Sequence, residues 1–190
     1  VSLCCDEVNA PWLCPPPPFL GPFVLGGLAG LPNTGRTGLG ACLHHVPDHG
    51  AALLLYGSHL GVNEAGKCGL VHRPGQAAES SCCGALALAL KRFGQAAQAG
   101  REYLPSDDPL DGAQAVIERG LASQAATLLA AEEPLRAAAE ATYRLMAEQF
   151  ASLLENVPDG LPVFTVGGLL INTSGGPGLF SIRDEGQAGG

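Results

Sequence analysis

The sequence predicts an α/β (α+β) fold in which a mixed β-sheet is flanked by helices, and three features carry that expectation. Two runs suited to buried strands, Ala51 to Tyr56 and Leu161 to Asn172, stand on either side of a central block; the second is almost continuously apolar, with β-branched members. Within the block, Leu135, Ala139, Thr142, Met146, Phe150, Leu153 and Val157 recur at helical spacing, the pattern of a core-facing stripe. The 190 residues are 46% hydrophobic, enough to bury a core, and short enough for one domain over 1–190. Strands, a helical block and a returning strand then make helices packed on a sheet.

In chain order, residues 1–22 form an N-terminal arm that holds Cys4-Cys5-Asp6-Glu7 and the four consecutive prolines Pro15 to Pro18. That tract is excluded from helix and central strand and reads as a polyproline II connector on the surface. Phe23 to Gly40 is glycine-rich, which calls for tight turns or close backbone approach. Leu39 to Val46 and Ala51 to Tyr56 flank the turn chemistry of Pro47-Asp48-His49-Gly50, so a β-hairpin is expected, followed by a more polar hairpin over Gly61 to Gly75.

Ser80 or Ser81 is expected to cap a helix from about Cys83 to Gly94. Ser106-Asp107-Asp108-Pro109 signals a second helix running towards Ala131, weakened by Gly112 and Gly120. Glu132-Glu133-Pro134 opens a third. After the turn Pro158-Asp159-Gly160 comes the returning strand, and 181–190 reads as a flexible, glycine-rich tail. No internal repeat is visible.

The formal net charge of −8, with no Lys/Arg cluster, removes the attraction that nucleic acid or anionic lipid would require. No apolar run approaches the roughly 18–20 residues of a membrane span. Seven cysteines, an odd count with two adjacent pairs, fit a reducing compartment with metal-binding or reactive thiols better than a disulfide scaffold. No signal-peptide pattern is seen at Val1, although the first residue is not Met.

Imidazole and thiolate are the donors zinc prefers, and three separate segments supply them: Cys4 or Cys5, then His59, then Cys82 or Cys83. The last pair opens a helix, where a thiol ionises most easily. Asp6 lies two positions after Cys4, on the same side of an extended segment. Arg36, in the glycine-rich loop, is the cation expected to hold its carboxylate.

Seven ordered blocks resemble the limiting-CO2-inducible B proteins, which are β-class carbonic anhydrase-like. The blocks are Leu3-Cys4-Cys5-Asp6-Glu7-Val8-Asn9, Gly26 to Pro32, Thr34 to Gly38, His44 to Asp48, Tyr56 to Gly61, Ser81 to Ala85 and Gly167 to Thr173. The resemblance implies a β-carbonic anhydrase-like domain with Zn2+ bound by Cys4, His59 and Cys83. Beside it stands a catalytic dyad of Asp6 and Arg36, which orients zinc-bound hydroxide towards CO2 and yields bicarbonate. It further implies a homodimer, a larger assembly with a homologue, and a chloroplast stroma or pyrenoid setting for an algal member or the cytoplasm for a bacterial one. His44, His45 and His49 are candidates for a proton shuttle.

Two other classes compete. One is a zinc protein with little hydratase activity that responds to CO2 or bicarbonate within an assembly. The other is a nucleotide-binding protein, because Gly30 to Thr37 matches a phosphate-binding loop with Arg36 in place of lysine. Gly38-Leu39-Gly40 is a poor helix start, and no strand ending in Asp offers itself for magnesium. A thiol redox module built on Cys82-Cys83 lacks the CxxC spacing.

Overall fold

Three strands form the main sheet in the order β1-β4-β5: β1 is Ala52–Val62, β4 is Val163–Thr173 and β5 is Gly176–Ala188. The computed structural model of the chain describes residues 1–174 and 176–189. β1 and β4 run parallel in unbroken register from Ala52 opposite Val163 to Val62 opposite Thr173, and β5 returns antiparallel to β4. Parallel strands need a long crossover. Here it contains β2 (Leu70–Val71), β3 (Ser80–Ser81), α2 (Gly84–Gln98), α3 (Gly112–Ala122), α4 (Ala125–Ala130) and α5 (Pro134–Leu154).

The core lies between the sheet and α5. Tyr56 stacks on Phe150 of α5 at 4.6 Å between ring centroids, and Ala139, Thr142, Met146 and Phe150 of the expected stripe are all buried. Because strand side chains alternate, His59 projects from the face opposite Tyr56. That face is covered by the N-terminal arm and the loop carrying Cys82 and Cys83.

Two glycines make this covering possible. A Cβ on Gly61 would stand 2.6 Å from Val71 and 2.8 Å from Cys82, and one on Gly26 would stand 2.4 Å from the Leu3 carbonyl. Without side chains there, backbone meets backbone: the Gly61 amide donates to the Cys82 carbonyl at 2.7 Å, and the Ser2 amide donates to the Leu55 carbonyl at 2.8 Å. Ser2 thereby continues the sheet on the free edge of β1, parallel to it at Tyr56.

Several expectations are corrected. Leu39 to Val46 is not a strand; Gly35–His44 forms helix α1, with Leu39 and Leu43, one turn apart, as its buried residues. The turn at Pro47 to Gly50 exists, with the Gly50 amide on the Pro47 carbonyl at 2.8 Å, but it joins a helix to β1. The partner of β1 is instead β4, more than 100 residues away, because a strand apolar on both faces belongs in the sheet interior. Asn63 to Lys67 does turn, yet the short β2 pairs with β3.

Ser80 and Ser81 are strand residues, and the helix they were expected to cap has Cys83 at its N-cap position and continues past Gly94 to Gln98. The helix expected towards Ala131 is broken. A 3-10 turn at Pro109–Asp111, capped by Asp108, precedes α3, and the chain kinks at Ser123 and Gln124 before α4. The proline tract bends, with the Phe19 amide on the Pro16 carbonyl, rather than extending as polyproline II. The expected flexible tail is largely strand, since residues 181–188 lie in β5, where they satisfy the second edge of β4; Gly190 lies outside the described residues.

One buried carboxylate ties the helices together. Glu118 of α3 accepts from Arg92 of α2 at 2.8 Å, from Gln114 at 2.9 Å and from the Tyr103 hydroxyl. Glu118→Ala strands these donors and is expected to cost about 3 kcal/mol, read as a lower denaturant midpoint with metal content unchanged.

Candidate metal centre

The C-terminal half of β1, the N-terminal arm and the start of α2 bring Cys4, His59 and Cys83 together. One ligand atom from each lies within 4.8 Å of the others, and all three residues are buried. Cys5, by contrast, is exposed. Cys82 is buried on another side of the imidazole, its Sγ 3.6 Å from His59 Nδ1, and it groups with Asp6 and His59 within the same 4.8 Å limit.

The electrostatics of these side chains match a donor set competing for protons. Hydrogen bonding from Cys4 holds the Cys83 thiol below its ordinary pKa against the opposing effect of burial, helped by the Leu86 and Ala85 amides at the mouth of α2. Cys4 is pushed up, chiefly by that same bond to Cys83 and then by burial. Burial alone would lower His59, but its contacts with the Cys4 and Cys82 thiols prevail and raise it to about 10. Metal binding displaces such protons, so acid and metal compete for the same atoms.

His59 is held by Asn172 of β4, whose Oδ1 lies 2.8 Å from Nδ1. Its other nitrogen, Nε2, is buried without a hydrogen-bond partner. A buried ring nitrogen left without a partner, on a histidine grouped with two thiols, fits a zinc site, and the nitrogen-sulfur set suits zinc better than magnesium or calcium.

Asp6 stands next to these donors, but the guanidinium that holds it is not Arg36. Arg73 grips the Asp6 carboxylate through Nη2, at 3.0 and 2.8 Å from its two oxygens. The same side chain reaches Glu7 at 2.5 Å, Ser80 Oγ at 2.5 Å and the Ser81 carbonyl at 3.2 Å, so it clamps the arm to β3. Burial works to raise the Asp6 pKa, yet the bonds from Arg73 outweigh it and hold the carboxyl below its usual range. Arg36, on α1, instead donates to Ser152 Oγ at 3.4 Å on an exposed surface. The expected pairing of Arg36 with Asp6 is therefore corrected: the guanidinium that meets Asp6 is that of Arg73. The end of the glycine-rich stretch becomes helix α1, whose Arg36 reaches Ser152 of α5, whereas the segment between β2 and β3 carries Arg73 to Asp6.

Residues 1–184 match the family described as limiting CO2-inducible proteins B/C beta carbonic anhydrases. The chain belongs to that family. Among solved structures it is similar to PtLCIB4, a homologue of the limiting CO2-inducible protein LCIB, at 37% identity and a TM-score of 0.87, covering 98% of this chain and 78% of that one. A single-substitution variant of PtLCIB4 matches at 34% identity and the same TM-score, over 98% and 77% of the two chains. LCIB itself shares the fold, with a TM-score of 0.71 at 20% identity over 98% and 76%. A search of curated proteins finds no match.

Sequence reasoning about this limiting CO2-inducible B/C protein missed three residues of the site: Arg73, Asn172 and Asn9. Both asparagines stand inside blocks that carried the resemblance, which was the available signal; Arg73 stands in none. The three candidate shuttle histidines are exposed and lie before the start of β1. His44 ends α1 and His45 caps it, and among the described residues none of the three belongs to the group formed by Cys4, His59 and Cys83. The phosphate-loop alternative gains a helix it was not expected to have, since α1 starts at Gly35, but a 3-10 turn at Leu28–Gly30 precedes it where such a loop needs a strand. Among the described residues no helix is long and apolar enough to cross a membrane.

Proposed function

We propose that this chain is a zinc-dependent carbonic anhydrase that interconverts CO2 and bicarbonate, with Cys4, His59 and Cys83 as the metal ligands and Asp6 and Arg73 as the catalytic dyad. The observation that carries the reading is the convergence of those three buried donors beside an arginine-held carboxylate. Zinc in such a three-donor site supplies the Lewis acidity that makes water a nucleophile near neutral pH.

The protein's own residues do the rest. Asp6, kept ionised by Arg73, accepts a hydrogen bond from the nucleophile and so aims a lone pair at the carbon of CO2. The two bonds from one guanidinium nitrogen, with Glu7 and Ser80 fixing the same group, remove the rotational freedom that would blur this aim. Burial of the donors excludes bulk water and strengthens each of these interactions. Homodimerisation belongs to the same reading. The exposed side chains of Leu53 and Phe164, paired across β1 and β4, offer apolar surface for a second copy.

Stopped-flow CO2 hydration on protein of measured zinc content tests the proposal. Stripping the metal with a chelator is expected to abolish hydration, and stoichiometric zinc to restore it. Fully zinc-loaded protein that hydrates CO2 no faster than buffer would sink the enzymatic reading and leave a CO2- or bicarbonate-responsive binding role.

A further inference from the structure

We infer that Asn172 is a positioning residue of the metal centre: it determines which nitrogen of His59 is offered to a metal and, through Asn9, ties that choice to the segment bearing Cys4. The inference rests on the Cys4, His59 and Cys83 centre proposed above and adds a residue to it.

Side-chain amides are ambiguous because their oxygen and nitrogen ends have the same shape. Here two backbone carbonyls remove the ambiguity. The Cys4 carbonyl can only accept, so the Asn9 atom 3.2 Å from it is the donor Nδ2. Asn9 Oδ1 is then the end turned towards Asn172, at 3.1 Å, and the Val8 carbonyl lies on the same end of Asn172 at 3.3 Å. Facing two acceptors, that end is Asn172 Nδ2, and both its hydrogens are used.

Asn172 Oδ1 is left against His59 Nδ1 at 2.8 Å, and a carbonyl oxygen has no proton to give. Nδ1 must therefore carry the proton, whatever the charge of the ring. The Cys82 thiol, 3.6 Å from the same oxygen, occupies its second lone pair, so every hydrogen-bonding capacity of the Asn172 amide is met. Nε2 is the nitrogen that remains for a metal, and it has no other partner.

The route joins distant parts of the chain. Asn172 sits on β4 opposite Gly61, on the face that His59 shares, while Asn9 lies 163 residues away in the arm. Among the described residues the Asn9 side chain hydrogen-bonds to the Cys4 carbonyl and to Asn172, and to no ligand side chain. Outer partners of ligating histidines hold ring orientation and tautomer, and their loss typically weakens metal binding about 10–100-fold.

Zinc affinity, measured by competition with a chromogenic chelator on the full chain, tests the inference. Asn172→Ala is expected to weaken zinc binding about 10–100-fold and Asn9→Ala by less, with the double variant no worse than Asn172→Ala because both act along one route. Thr142→Ala serves as a control. It deletes a buried hydroxyl that bonds only the Ala138 carbonyl within α5, and should leave zinc affinity unchanged. A measurement on the unaltered protein guards against misfolded variants: in 15N-labelled protein loaded with 113Cd, metal coupling is expected at His59 Nε2, with Nδ1 still protonated. Coupling at Nδ1, zinc affinity retained in Asn172→Ala, or additive losses in the double variant would each overturn the inference while leaving the zinc centre standing. Unaltered protein that takes up no zinc overturns both.

Discussion

Cys83→Ser is expected to abolish zinc retention and CO2 hydration, while Cys82→Ser keeps both. The two sulfurs are adjacent in sequence and both buried, so burial does not separate them. Geometry does. Cys83 Sγ groups with Cys4 and His59, and the helix amides of Ala85 and Leu86 help stabilise its thiolate. A serine hydroxyl at that position stays protonated and is a poor zinc ligand. Cys82 Sγ lies 3.6 Å from His59 Nδ1, a nitrogen already engaged by Asn172, so its loss removes a weak hydrogen bond and no metal donor. Zinc content by atomic absorption, with stopped-flow assay of the same samples, separates the outcomes. If Cys82→Ser emptied the site and Cys83→Ser did not, the ligand set would have to be rewritten around Asp6, His59 and Cys82.

Arg73→Ala is expected to lower kcat by about 100-fold with zinc still bound, the scale on which misplacing a catalytic group acts. Arg36→Ala should leave kcat unchanged. Arg73 makes the contacts that orient Asp6, and it is largely buried, at 13% side-chain exposure against 12% for Asp6. Removing it frees the carboxylate to rotate and loosens the arm from β3, at a further cost of about 1.5–3 kcal/mol in stability. Among the described residues Arg36 makes one long side-chain bond, to an exposed serine. Arg73→Lys is informative as well, since an ammonium keeps the charge without the planar fork. Partial recovery of kcat in that variant would show charge at work, and no recovery would show orientation.

The extent to which this site was legible in the sequence differs residue by residue. The residue types by themselves left Cys4 or Cys5 and Cys82 or Cys83 open beside His59; Cys4, Asp6, His59 and Cys83 could be singled out because they stand in blocks that resemble a known family. The α5 stripe and β4 were legible too, since a period of 3.6 or an unbroken apolar run is written into neighbouring residues. Arg73 was not. Arginine is an ordinary surface residue, and nothing near position 73 in the sequence refers to position 6.

What the sequence determined by itself was the segments that carry candidate donors, the presence of a sheet with helices against it, and a helix mouth near Cys83. Tertiary structure decided which groups meet. Residues 39–44 joined a helix rather than a hairpin, β1 pairing with β4 instead, and the tail became a strand because β4 had a second edge to fill. The same long-range pairing set Asn172 beside His59 and brought Asn9 to Asn172. These outcomes depend on strand register and on close approach at Gly26 and Gly61 between segments far apart in the chain. Local propensity carries no information about such pairings; they exist only once the backbone has closed its hydrogen bonds across the sheet.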